Sequence, residues 1–243
     1  MEFEDEAIML AARPFGEAGA IVEVLTRSHG KWAAHVAGGA SQRLRPATEP
    51  GARVNFRFRA RVSEQLGSAQ IEATGEGASA LFDDPLALAG LSAAAAVLVG
   101  ALPEREPHPG AFLALEVLIA ALAATDLWPA VMVRFEAGLL QDLGFGFDLS
   151  HCAVTGSTEN LVWVSPRTGR AVSAEAGEAY RDRLLALPPF LLSSQASIAP
   201  GDIGAGLAIT GRFLESFVFA VMDRPLPAAR ARLLERLEAA GRL

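Results

Sequence analysis

Hydrophobic and polar residues alternate strictly through one segment of the chain, residues 53–62. Apolar side chains occupy every second position: Val54, Phe56, Phe58, Ala60 and Val62. Polar side chains occupy the positions between them: Arg53, Asn55, Arg57, Arg59 and Arg61. A period of two is typical of a half-buried β-strand, because successive side chains point to opposite faces. The pattern predicts a strand that buries one face and displays four arginines, with no acid among them, on the other.

Four more short segments have β character and are separated by Gly, Pro and polar turns. The predicted strands are residues 7–12, 20–26, 31–36, 53–62 and 69–74. Five short strands within about 75 residues favour a small closed barrel, which leaves no exposed sheet edge.

From Asp83 onward the pattern becomes helical. Asp83 or Asp84 is placed to cap a helix that has Pro85 in its first turn. The predicted helices are residues 84–100, 110–124, 129–143, 174–187, 206–222 and 226–240. Turn residues and the apolar run 161–164 interrupt this pattern and predict an inserted β-hairpin at about 148–173. The fold class is therefore predicted as α+β with two domains, 1–80 and 81–243.

Composition narrows the class of protein. The N-terminus is acidic, which argues against a secretory signal, and the apolar runs near residues 91–102 and 111–124 are too short or too interrupted to span a bilayer. Cys152 is the single cysteine, so an internal disulfide and a multi-cysteine metal site are excluded. These features predict a cytoplasmic protein without a membrane partner.

Charge is distributed unevenly along the chain. The formal net charge is −7, yet residues 27–61 contain eight basic residues and one acid, Glu49. Such asymmetry indicates a polyanion-binding segment beside an acidic body. The candidate contacts are Lys31, Arg43, Arg45, Arg53, Arg57, Arg59 and Arg61. A solvated outer sheet face is the alternative, although ordinary exposed faces mix both signs of charge.

Other motifs add little chemistry. The loop at residues 38–46 either approaches phosphates closely or is a plain connector. Phe15 and Trp32 are candidates for base stacking, but both are expected in the core. The pair His151–Cys152 lacks the further ligands of a zinc site, so a buried thiol beside a surface imidazole is expected. Glu136 and Asp142 are expected as surface charges, and no nucleophile elbow, HExxH or P-loop is present.

The order of these features resembles that of a known family. Residues 4–10 (EDEAIML), 13–17 (RPFGE), 21–26 (IVEVLT) and 30–31 (GK) are similar to its opening strands and turns. Residues 134–136 (RFE), 143–146 (LGFG), 148–156 (DLSHCAVTG) and 164–173 (VSPRTGRAVS) are the more specific part. The chain thereby resembles RecO, a family of bacterial recombination mediators, over nearly its whole length.

The resemblance implies an N-terminal OB-fold and a helical domain with a zinc-ribbon-like insertion. It also implies binding to single- and double-stranded DNA, annealing of complementary strands, and cooperation with RecR to load RecA onto DNA coated by single-stranded-DNA-binding protein (SSB). Some members hold zinc through four cysteines, whereas this chain has only Cys152, so the insertion is expected to be metal-free and the protein to need no cofactor. Where the family often has a basic residue after the loop glycines, this chain has Ala40.

The family's helical domain also receives the acidic, Phe-ending tail of SSB. Arg134 matches the family block and is the candidate for that contact; a surface arginine paired near Glu136 or with Asp142 is the alternative. The leading hypothesis is a non-enzymatic, nucleoid-associated DNA mediator. An adaptor whose barrel binds acidic protein tails remains an alternative from another class, and a hydrolase with an unrecognised site is a remote third.

Overall fold

The computed structural model describes residues 1–61, 66–75, 81 and 83–243 and contains two compact units. The first unit comprises Met1–Thr125 and Pro227–Arg230, and the second comprises Asp126–Leu226 and Ala231–Leu243. The first two long helices therefore group with the strands that precede them. The sequence prediction drew its boundary earlier, at 80/81, and residue 80 lies outside the described residues.

Five strands of the first unit close into a barrel with neighbour order β1-β2-β3-β5-β4. They are β1 (Glu2–Phe15), β2 (Gly19–Thr26), β3 (Gly30–Val36), β4 (Arg53–Arg59) and β5 (Gly67–Ala73). Strand β3 pairs with β5 in parallel, and every other pair, including β1 with β4, is antiparallel. This closed barrel, followed by a helical region, confirms the predicted OB-fold plus helical domain.

The strands differ from the prediction mainly at their ends. Strand β1 begins at Glu2 rather than at residue 7, because its acidic first half alternates outer carboxylates with inner residues and pairs with β4. Strand β4 ends at Arg59, and Val62 lies outside the described residues. Inside the barrel, the alternating apolar residues form one core. Its largest members are Met9, Trp32, Phe56, Phe58 and Ile71.

The described residues of the first unit also form three whole helices: α1 (Arg45–Thr48), α2 (Pro85–Ala101) and α3 (Pro109–Ala124). Helix α1 packs against β1 and β5, and α2 packs against β1 and α3. The Asp84 carboxylate accepts hydrogen bonds from the backbone N–H groups of Leu86 (2.9 Å) and Ala87 (3.0 Å). The predicted cap of α2 is thus confirmed, with Pro85 in the first turn, where no backbone donor is needed.

The second unit combines helices with a small sheet. Its elements are α4 (Trp128–Asp142), β6 (Leu161–Val164), β7 (Ala171–Ser173), α5 (Ala174–Gly177), β8 (Leu185–Ala186) and α6 (Asp202–Phe213). Strand β6 lies between β7 and β8 and is antiparallel to both. The predicted long helix 174–187 is wrong: after one turn the chain forms a 3-10 segment, Glu178–Arg183, and then β8 pairs with the free edge of β6.

Helices α4 and α6 pack at close range. A Cβ atom at Gly206 would lie 2.7 Å from a methyl group of Val133, so glycine permits this approach. Helix α6 continues into a π-helical turn, Leu214–Phe219, and a 3-10 turn, Ala220–Met222. By length and composition the run Asp202–Met222 is apolar enough to cross a membrane, but half of its most apolar window is buried, as in a core helix. Helix α7 (Ala228–Ala239) follows.

Candidate nucleic-acid interface

The two faces of β4 separate as the alternation predicts. Val54, Phe56 and Phe58 are fully buried in the barrel core. Arg53, Arg57 and Arg59 are exposed on the outer face, and Asn55 is partly exposed between them. Arg61 is exposed just beyond the strand end. The predicted arginine row is therefore present on the barrel surface.

The row is not free of acids, and that expectation is wrong. The antiparallel register places Glu2 opposite Arg59, Glu4 opposite Arg57, and Glu6 opposite Asn55. Directly opposite residues lie on the same face of a sheet, close enough for opposite charges to pair. The acids come from a strand about fifty positions earlier in the chain, so the local composition of residues 53–62 did not reveal them. Strand β1 thus supplies carboxylates along the arginine row.

Glu4 makes the tightest of these contacts. Its Oε1 accepts a hydrogen bond from Asn55 Nδ2 at 2.6 Å; its Oε2 accepts one from Arg57 Nε at 2.9 Å and lies 2.7 Å from Arg57 Nη2. Both Arg57 nitrogens thus contact one carboxylate oxygen, while Asn55 holds the other, and hydrogen bonds between ionised groups are stronger than neutral ones. The hydrogen bonds from Asn55 and Arg57 lower the pKa of the Glu4 carboxyl. Arg57 therefore already holds an anion.

Arg53 is used in a different way. It pairs at 2.9 Å with Glu116 of α3, whose side chain is only 16% exposed and therefore poorly screened by water. Arg27 reaches the same carboxylate at 3.5 Å, pairs with Glu6 at 2.8 Å, and lies over the ring of Phe112. These contacts join the barrel to α3. Arg53 is consequently part of the packing within the first unit.

Two open grooves are lined by arginines of the row and by Arg43 of the loop at residues 38–46. A groove of about 680 Å³ is lined by Arg43 and Arg57, together with Asn55, Gln70 and Glu72. A second, of about 500 Å³, is lined by Arg59, Arg61 and Ser68. Within the described residues, Arg43, Arg59 and Arg61 form no ion pair. These three arginines are available to a bound anion.

The loop at residues 38–46 is folded rather than loose. Gly38 has a left-handed φ of 71°, and the backbone N–H of Ala40 donates to Ala18 O at 3.1 Å. Ser41 N–H donates to Gly38 O, after which the chain enters α1. Arg45 extends into solvent and pairs with Glu49 one helical turn later. The loop therefore holds Arg43 and Arg45 on an ordered support.

Lys31 does not share this surface. It is 7% exposed, and its ammonium donates a 2.6 Å hydrogen bond to Val99 O at the end of α2. Its outward-facing position on β3 is covered within the first unit. We therefore leave Lys31 out of the interface proposed below.

Of the two candidate stacking residues, Trp32 and Phe15, only Trp32 lies in the core. Trp32 is buried against Phe58, with ring centroids 4.7 Å apart. Phe15, expected in the core as well, is 52% exposed at the end of β1 and contacts the ring of His35. No sequence signal separated the two, because Phe15 belongs to the part of β1 that extends beyond the predicted strand.

In the second unit, Arg134 lies exposed on α4. Its Nη2 donates to the carbonyls of Phe190 (2.5 Å) and Ser193 (3.2 Å). Backbone carbonyls thus position the Arg134 guanidinium.

Glu136, expected at the surface, is completely buried and accepts a hydrogen bond from the Thr210 hydroxyl of α6. A buried carboxylate needs such a donor, which local sequence does not reveal.

Cys152 is buried and His151 is partly exposed, as expected. The Ser173 backbone N–H donates to Cys152 Sγ at 3.3 Å. Burial raises the pKa of the Cys152 thiol, but hydrogen bonds from Ser173 and Thr155 outweigh burial and lower it to about 6. The described residues contain no group of three or more His, Cys, Asp and Glu side chains placed to hold a metal ion. The Cys152 sulfur is therefore held by a hydrogen bond from the end of β7.

Comparison with known proteins agrees with these features. A family model described as "Recombination protein O N terminal" matches residues 1–74, and "Recombination protein O C terminal" matches residues 83–219. The chain is 71% identical to "DNA repair protein RecO" of Phenylobacterium zucineum (strain HLK1) and 65% identical to that of Caulobacter sp. (strain K31), in each case over the whole of both chains. It is 52% identical to that of Rhodospirillum centenum over 97% of this chain and 94% of the relative. The chain therefore belongs to the recombination protein O (RecO) family.

Proposed function

We propose that this protein is a non-enzymatic DNA-binding mediator of recombinational repair in the cytoplasm. It binds single- and double-stranded DNA, anneals complementary strands, and works with RecR to load RecA onto SSB-coated DNA. Relatives that match the whole chain carry the name DNA repair protein. The observation that carries the DNA-binding step is the outer face of β4, where Arg57, Arg59 and Arg61 face two open grooves on an acidic protein.

The arginines bind phosphate, and their contributions to DNA affinity differ because Arg57 is paired with a carboxylate while the others line open grooves. Among the residues that the structure describes, Arg43, Arg59 and Arg61 have no carboxylate partner that a phosphate must displace. Arg57 must exchange the Glu4 carboxylate, so its net contribution is smaller. Each neutralised phosphate of single-stranded DNA releases counterions and contributes about −0.7 to the slope of log K against log salt. Four contacts give a slope of roughly −3.

Annealing follows from the same charge neutralisation. Two complementary strands repel each other through their phosphates, and a cationic surface that holds both removes part of this repulsion. Holding the strands together also raises their effective concentration, so pairing becomes nearly unimolecular. Neither step makes or breaks a covalent bond.

Partner binding is assigned to the second unit. Arg134 presents an exposed guanidinium that two backbone carbonyls hold in position. Such a fixed cation suits the acidic tail of SSB, because it pairs with a carboxylate without first losing side-chain freedom. Replacing Arg134 with Glu is expected to weaken binding of an SSB-tail peptide and leave DNA binding unchanged.

A second function has one observation in its favour. Arg57 and Asn55 already hold the two oxygens of one carboxylate, so the barrel face is suited to acidic peptide side chains as well as to phosphates. An adaptor that binds acidic protein tails would use the same groove. It differs from a DNA mediator in having neither DNA binding nor strand annealing, even at low salt.

The deciding experiment measures single-stranded DNA affinity across salt for the wild type and for Arg59→Glu/Arg61→Glu. Arg167→Glu/Arg183→Glu is the matched control, because it makes the same charge change at two exposed positions of the second unit. We expect the barrel variant to bind more weakly with a slope shallower by about 1.4, and the control to behave as the wild type. Equal losses in both variants would mean that net charge, and not this surface, governs binding.

A further inference from the structure

One row of outward-facing side chains crosses the barrel from β1 to β4. Arg13 lies opposite Ile21, Ile21 opposite His35, His35 opposite Ser68, and Ser68 opposite Arg59. Neighbouring strands are about 4.8 Å apart, so the four steps from Arg13 to Arg59 span roughly 19 Å. The row therefore connects the Arg59–Arg61 groove, through His35, to the far end of β1.

An aromatic pair is built beside this row. The rings of Phe15 and His35 contact edge to face, with centroids 5.6 Å apart and planes at 69°. Gly19 lies directly opposite Phe15, and a Cβ atom there would be 2.3 Å from His35 Nε2. The glycine thus leaves the space that lets the His35 ring reach across β2 toward Phe15. Half of the Phe15 side chain remains open to solvent.

Cations lie on both sides of the pair. A groove of about 330 Å³ is lined by Arg13, Arg45, Gln42 and the chain from Gly39 to Ser41. Arg13 is two residues before Phe15 on the same strand face. On the other side, Ser68 joins His35 to the groove of Arg59 and Arg61. An exposed phenyl ring between two groups of arginines is suited to a ligand that is flat and apolar between two anionic groups.

We propose that Phe15, against which His35 packs edge to face, stacks one unpaired base of single-stranded DNA, while Arg13 and Arg59 hold phosphates farther along the strand in the two directions. This site rests on the DNA binding proposed above and adds base contact to it. Every base has a flat face that stacks on an aromatic ring, so the site tolerates any sequence. In a duplex both faces of a base are already stacked. The site therefore selects single strands over duplexes.

The test compares two oligonucleotides of equal length and charge, one of thymidines and one of abasic sites. We expect the wild-type full-length protein to bind the thymidine strand more tightly. Phe15→Ala is expected to lower thymidine-strand affinity about five- to a hundred-fold, the range measured for loss of one base–aromatic stack. Its abasic-strand affinity and its salt slope stay at the wild-type values, and Phe15→Trp restores thymidine-strand affinity. Phe145→Ala, which removes an exposed ring from the second unit, changes neither affinity.

A strand carrying 2-aminopurine adds a direct readout, because stacking quenches its fluorescence. The wild type is expected to quench it and Phe15→Ala is not. Unchanged thymidine affinity and unchanged quenching in Phe15→Ala, with salt-dependent binding intact, would overturn the stacking site alone. Failure of the wild type to bind either strand at low salt would overturn DNA binding and the stacking site together.

Discussion

The inner and outer faces of β4 are stabilised by different kinds of neighbour. On the inner face, Phe56 and Phe58 are fully buried among apolar side chains of the barrel. Their burial depends on the apolar area around them and not on one particular neighbour. On the outer face, Arg53, Arg57 and Arg59 have three distinct environments: Glu116 of a helix, Glu4 of a neighbouring strand, and an open groove. The stability that the inner face contributes depends on buried apolar area, whereas the role of each arginine on the outer face depends on its own partner.

This difference separates stability from binding. Burial of apolar area is non-directional, so the inner face needs only alternation to form. Charge pairing depends on the register of strands that are far apart in the chain. Three arginines of one strand can therefore have different roles: Arg53 stabilises packing against α3, Arg57 pairs with a carboxylate that a ligand must displace, and Arg59 lines an open groove. Substitutions on the two faces are expected to affect different measurements.

The largest effect is expected inside the barrel. Phe58→Ala removes a fully buried ring that contacts Trp32 and Phe3, and a loss of about 3–5 kcal/mol in the free energy of unfolding is expected. Phe15→Ala is the matched control, because the same deletion at a half-exposed ring costs much less. Urea unfolding followed by circular dichroism measures both. Equal losses would show that burial does not distinguish the two rings.

A smaller effect on stability is expected from the partner of Arg53. Glu116→Ala leaves Arg53 and Arg27 without their shared, poorly exposed carboxylate, and a loss of about 1–2 kcal/mol is expected. Glu49→Ala breaks the exposed Arg45–Glu49 pair and should cost no more than about 0.5 kcal/mol. If both variants unfold at the same urea concentration, Arg53 is not part of the packing against α3.

The sequence predicts one face of β4 far better than the other. Alternation alone locates Phe56 and Phe58 in the core, and turn residues between the strands indicate the closed barrel. The partners Glu4 and Glu116 could not be predicted, because they are brought to β4 by strand closure and by a helix about sixty residues later. The prediction that Glu136 lies at the surface is wrong for the same reason, because its partner Thr210 is seventy-four positions away in the chain. Alternation therefore predicts which apolar residues of a strand are buried, whereas the partners of a charged side chain depend on contacts that are distant in the chain.

Competition at Arg57 predicts a gain of function. Glu4→Gln removes the carboxylate that a phosphate must displace from Arg57, so affinity for single-stranded DNA should rise up to about fivefold, within the strength of an exposed ion pair. Glu159→Gln makes the same change in net charge at an exposed position of the second unit and should have little effect. Fluorescence anisotropy at fixed salt compares the two. A decrease in affinity for Glu4→Gln would show that Glu4 positions Arg57 for binding rather than competing with DNA.

The smallest expected effect concerns pH and the same carboxylate. Asn55 and Arg57 lower the pKa of Glu4 in the folded protein below its usual value of 4.5. A group with a depressed folded-state pKa stabilises the fold fully above its unfolded-state pKa, and the stabilisation disappears as pH falls through the folded-state pKa. Glu4→Gln has no such titration. The stability advantage of the wild type over Glu4→Gln should therefore be present at pH 7 and shrink below about pH 4.5, as urea unfolding at several pH values will measure. An advantage that stays constant down to pH 3 would mean that the Glu4 charge does not stabilise β1 against β4.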